Sequence, residues 1–142
     1  MIFKSFEINK INFENHNIFL FYGENEGFKI EVINNLFKKL INYKDIRYEE
    51  KEILVNPDNF ISEILNKSLF DEKRLIIVNR VTDKSINIIQ DLFSKEIFDC
   101  KIIFISEVLQ KKSKLKLYFE KEKKLICLPF YNDSSSILAS LT

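Results

Sequence analysis

With 142 residues the chain is long enough for one domain with its own hydrophobic core. Apolar residues at 46% and charged residues at 30% exclude a disordered polymer, and a formal net charge of +1 excludes a global field aimed at nucleic acid or a membrane surface. No stretch approaches the roughly 20 apolar residues of a membrane span, and Met1 to Lys10 lacks an uninterrupted apolar leader core, so the cytoplasm is the expected compartment and no membrane partner is expected.

In chain order, Ile18-Phe19-Leu20-Phe21-Tyr22, closed by Gly23, predicts a buried strand. Phe28, Val32, Ile33, Leu36, Phe37, Leu40 and Ile41 then recur at helical spacing, with Asn25 as N-cap and Glu26 at the positive end of the helix. A second strand is expected within Ile46 to Val55. Asn56-Pro57 opens a helix with Phe60, Ile61, Ile64 and Leu65 inward. Leu75 to Val78 is the third strand. Thr82 or Asp83 caps a helix carrying Ile86, Ile89, Leu92 and Phe93, and Ile102 to Ile105 is the fourth strand. Ser113 to Lys121 reads as a helix with Leu115, Tyr118 and Phe119, and Leu125 to Leu128 is the fifth strand, stopped by Pro129. Continuous apolar strands alternating with helices predict a three-layer, doubly wound α/β domain around a mainly parallel five-stranded sheet. Asp133 to Ser136 resembles a helix start, cut off soon afterwards, as expected of a fragment ending at a domain boundary.

The turn after the first strand stands where a phosphate loop would stand. A working loop requires G-x-x-x-x-G-K-[ST], whose backbone N–H groups cradle phosphate and whose lysine and hydroxyl serve phosphate and Mg²⁺. Here the run is Gly23-Glu24-Asn25-Glu26-Gly27-Phe28-Lys29-Ile30. The second glycine comes one residue early, Phe28 separates Gly27 from Lys29, and Ile30 replaces the hydroxyl residue. Glu24 and Glu26 add negative charge where phosphate would lie. The third strand ends in Asn79-Arg80 without the acid that would organise Mg²⁺, and Glu107, after the fourth, has no phosphate loop to serve. His16 is the sole histidine and pairs with no obvious nucleophile, so a surface role is expected. Cys100 and Cys127 have no metal-ligand spacing and read as buried thiols, while Lys121, Lys123 and Lys124 read as a solvated helix end. No catalytic residue, metal or cofactor is expected.

Ser68-Leu69-Phe70-Asp71-Glu72-Lys73-Arg74 places two large apolar residues between a helix and a strand. Leu69 continues the Ile61–Leu65 stripe at four-residue spacing, which favours a core position. Adjacent helical residues, however, diverge by about 100°, so both cannot easily face one core. An exposed apolar pair at a tip is an interface anchor.

Four segments in register resemble the delta subunit of the bacterial DNA polymerase III clamp loader. Phe19 to Glu26 resembles that family's opening strand and degenerate phosphate turn. Ser68 to Val78 resembles its S-L-F-x-x-x-R segment and following strand. Lys112 to Glu120 resembles its S-x-L-x-x-x-F-E helix, and Pro129-Phe130-Tyr131-Asn132-Asp133 the aromatic-plus-acid segment before its second domain. The resemblance implies a RecA/AAA+-like domain, P-loop NTPase-like in fold but without a functional phosphate loop at Gly23, Glu24, Gly27 and Lys29. It implies residues 1–133 as a clamp-binding domain and 134–142 as the start of a connection to lid and collar domains. Its partner would be the sliding clamp (beta subunit), gripped by Leu69 and Phe70 after Ser68, with Asp71 and Glu72 bearing on affinity for an acidic clamp. In the full-length protein the other loader subunits would be further partners, supplying ATP hydrolysis, and DNA would be reached through the complex. The polymerase holoenzyme would carry the catalytic activity and this chain none. Two alternatives stay open: a degenerate P-loop nucleotide-binding domain, and a receiver-like interaction domain of flavodoxin topology. The latter calls for acids at the ends of the first and third strands, where Tyr22-Gly23 and Asn79-Arg80 stand.

Overall fold

An unbroken apolar pentapeptide is compatible with a strand covered on both faces, and β1 (Ile18–Tyr22) takes that position, buried at every residue. In the computed structural model, which describes residues 16–39, 42–65, 73–95, 100–110, 112–122 and 124–130, β1 pairs in parallel with two neighbours. Ile18 lies opposite Ile102 of β4 (Cys100–Ile105) on one side and opposite Leu125 of β5 (Leu125–Pro129) on the other. β3 (Arg74–Asn79) joins β4 to β2 (Lys44–Glu49), giving the all-parallel order β2-β3-β4-β1-β5. This is the RecA/AAA+-like, doubly wound class expected from the sequence. The edge strand β2 exposes Lys44, Asp45 and Arg47, charges that discourage pairing with another chain.

The crossovers follow from right-handedness. The connection β1 to β2, through α1 (Glu26–Lys39), passes β4 and β3 in one direction; all later connections run in the other. Among the described residues α1 therefore covers one face alone. On the opposite face lie α2 (Glu50–Val55), α3 (Pro57–Leu65), α4 (Ile86–Phe93) and α5 (Lys114–Lys121). Strand alternation sorts the core accordingly. Phe19, Phe21, Leu75, Ile77, Ile103, Ile126 and Leu128 pack with Val32 and Ile33 of α1. Ile18, Leu20, Ile76, Val78, Ile102 and Phe104 pack with Ile53, Phe60, Ile64, Ile89, Leu92, Leu115 and Phe119.

The capping expectations hold where polar side chains meet helix starts. Asn25 Oδ1 accepts from Phe28 N at 3.0 Å and Asn56 Oδ1 from Asn59 N at 3.2 Å. Thr82 caps a 3₁₀ turn, Asp83–Ser85, that leads into α4, whereas Asp83 caps a different helix altogether. One boundary is corrected. The strand expected within Ile46–Val55 starts earlier, at Lys44, and ends at Glu49, and Glu50–Val55 is α2. Glu49 N donates to the Glu52 carboxylate at 3.1 Å, which starts the helix and turns Ile53 into the core. Leu40, Ile41, Ser68, Leu69, Phe70 and the tail from Asp133 lie outside the described residues. No helix among the described residues is long and apolar enough to cross a membrane.

Candidate functional site

In a doubly wound sheet, ligands bind beyond the carboxyl ends of the strands, where successive connections leave for opposite faces. Here that point lies between β1, followed by α1, and β4, followed by α5. A polar crevice of about 400 Å³ opens there, between Glu26 and Lys29 of α1 and Glu49, Asn79, Arg80, Ser106 and Glu107 at the ends of β2, β3 and β4.

The turn at its base is stitched to its neighbours. Gly23 N donates to Glu107 O at 3.1 Å, Asn25 N to Phe130 O at 3.1 Å and Phe130 N to Tyr22 O at 2.6 Å. Gly23 has φ +122, and a Cβ there would stand 1.9 Å from Phe130 O. Glycine is required at this position by close approach of β5, without reference to any ligand. Three further donors also bond within the chain: Glu26 N to Glu24 O, Phe28 N to Asn25 Oδ1 and Lys29 N to Asn25 O.

Lys29 lies six residues after Gly23, the interval that separates the first glycine from the lysine in a working phosphate loop. Its side chain is only 1% exposed. Its ammonium donates to Gly23 O at 2.8 Å, Ser106 O at 3.0 Å and Glu26 Oε1 at 2.7 Å, which uses all three of its hydrogens. The lysine thus serves as an internal tie between β1, α1 and β4. A phosphate would have to displace the Glu26 carboxylate and two carbonyls to reach it. Arg80, at the crevice mouth, has the left-handed backbone angle φ 58. It turns the chain out of β3 so that Val81 N donates to Ile105 O at 2.9 Å and Val81 O accepts from Ser106 Oγ at 2.7 Å.

A scan against protein-family models and a search of curated proteins found no match to this chain.

Behind the crevice two carboxylates organise the loops: Glu50, which the sequence did not single out, and Asp83, which it offered only as a cap for the helix that follows it. Buried Glu50, at the start of α2, accepts from Thr82 N at 2.5 Å, Thr82 Oγ1 at 2.9 Å and Ser85 Oγ at 2.7 Å. Asp83 accepts from Ser113 Oγ at 2.6 Å, Leu115 N at 3.1 Å and Lys114 N at 3.2 Å, capping α5 from another loop. Burial pushes the Asp83 carboxyl up, but the bonds from Ser113, Leu115 and Lys114, with the Lys114 charge, outweigh it and leave the group below its ordinary value. Sequence separations of about 30 residues hide both roles from any local motif.

The thiols lie where the sequence put them, in the interior. Burial pushes Cys100 up to about 11 and Cys127 to about 12, so neither is a thiolate near neutral pH. His16 Nδ1 lies 3.2 Å from Lys124 O at the sheet's other edge, away from the crevice. Among the described residues no group of three or more His, Cys, Asp or Glu side chains is arranged to hold a metal.

Ser68, Leu69 and Phe70 fall in the sequence between α3 and β3 and lie outside the described residues. The described residues bracketing that connection are tied together. Arg74, the first residue of β3, donates through Nη1 to Glu63 O and through Nη2 to Ile64 O at 2.8 Å. Tyr48 OH donates to the Glu63 carboxylate, and its ring packs edge-on against Phe60 at 5.2 Å.

Proposed function

We propose that this chain is the clamp-binding domain of a delta-type clamp-loader subunit, acting in the cytoplasm in DNA replication without catalysis of its own. The single observation that carries this reading is the filled turn after β1. A RecA-like sheet retains the register of a phosphate loop, yet its lysine is tied to Glu26 and two carbonyls and the backbone donors of Gly23, Asn25, Glu26, Phe28 and Lys29 to protein acceptors. Such a domain keeps the shape of a nucleotide-binding module with its phosphate chemistry spent on internal cohesion. What it offers a partner must lie elsewhere, and the apolar pair Leu69-Phe70 after Ser68 is the sequence feature that fits.

Mechanism then needs only binding energy. Burying a Leu and a Phe in a pocket on the sliding clamp contributes roughly 3–6 kcal/mol before ordering costs. If the pair fits the opened ring better than the closed one, that difference shifts the ring towards opening. ATP turnover, assembly with other loader subunits and access to DNA belong to the remaining subunits and domains of the complex. Of the alternatives, the flavodoxin-like order 2-1-3-4-5 places β1 beside β2 and β3, unlike the β4-β1-β5 neighbourhood here, so a receiver topology is disfavoured.

The test is binding of the cognate sliding clamp, measured by surface plasmon resonance, for the wild type and for Leu69→Ser combined with Phe70→Ser. Loss of binding with an intact cooperative melt supports the assignment. Binding at wild-type strength refutes it, and loss of the melt makes the pair core residues. Calorimetric titration with Mg-ATP is expected to give no heat; saturable heat that Lys29→Met removes would favour the nucleotide-binding alternative.

A further inference from the structure

No further inference is drawn: the strongest candidate, the polar crevice at the carboxyl ends of β2, β3 and β4, is a group of carboxylates (Glu26, Glu49 and Glu107) beside the first turn of α1, with Glu26 63% and Glu49 35% exposed, and nothing in the structure shows what would bind there.

Discussion

The two glycines of the turn after β1 separate a structural turn from a phosphate loop, because they respond oppositely to one methyl group. At Gly23 a Cβ would meet Phe130 O at 1.9 Å, Phe130 C at 2.6 Å and Phe130 N at 2.8 Å, all backbone atoms of the residue following β5. Relief requires β1 and β5 to part at this end. That movement endangers the hydrogen bonds Phe130 N to Tyr22 O and Asn25 N to Phe130 O, of 2.6 and 3.1 Å. Two such bonds contribute about 1 kcal/mol each, and a side chain at φ +122 adds about 1–3 kcal/mol of strain. Gly23→Ala should therefore cost about 3–5 kcal/mol, a large part of the roughly 5–15 kcal/mol that holds an ordinary domain together. At Gly27, in the first turn of α1, the nearest atom to an added Cβ is Asn25 Oδ1 at 3.8 Å. Gly27→Ala should be neutral or stabilising by up to about 1 kcal/mol, the helix propensity difference. Urea unfolding followed by circular dichroism measures both. A Gly23→Ala variant within 1 kcal/mol of wild type would refute the steric reasoning. A destabilised Gly27→Ala variant would refute the view that this glycine has no close neighbour to accommodate.

Lys29→Met should lower stability by about 2–4 kcal/mol, since it strips the ammonium from Gly23 O, Ser106 O and Glu26, while clamp affinity stays unchanged; a urea midpoint equal to wild type would show that the tie is dispensable. Asp83 has a folded value below its ordinary 3.8, so its contribution is complete above that pH and is lost as pH falls through the lower folded value. The melting-temperature gap between wild type and Asp83→Asn should accordingly close in acid, and a gap independent of pH would contradict the capping role. Tyr48 is pushed up to about 12 by burial and by the bond and charge of Glu63, so its contribution is complete below pH 10 and fades as pH rises towards the folded value. Tyr118 is also raised by burial, so absorbance titration of tyrosinate should show late-titrating groups of which the Tyr48 one vanishes in Tyr48→Phe and titrates earlier in Glu63→Gln.

Strand identity and fold class were legible because buried parallel strands are written as unbroken apolar runs, as in Ile18–Tyr22 and Ile102–Ile105, and the helices between them repeat at their own period. The degenerate phosphate turn was equally legible, since glycine spacing and the residues flanking Lys29 are local facts. The break between β2 and α2 was not, because Ile46 to Val55 mixes apolar and charged residues in a way both periods accommodate. A helix start at Glu49 and a place for Ile53 against the sheet decided it.

The amino-acid order by itself determined that an α/β domain forms, that its first turn lacks the residues for phosphate chemistry, and that an apolar pair sits between α3 and β3. Only the tertiary structure decided what Lys29, Glu50, Arg74 and Asp83 do. Apart from Glu26, their partners lie outside their own elements, up to 77 residues away for Lys29, and a buried charge takes its role from whichever donors and acceptors the fold brings within hydrogen-bonding reach.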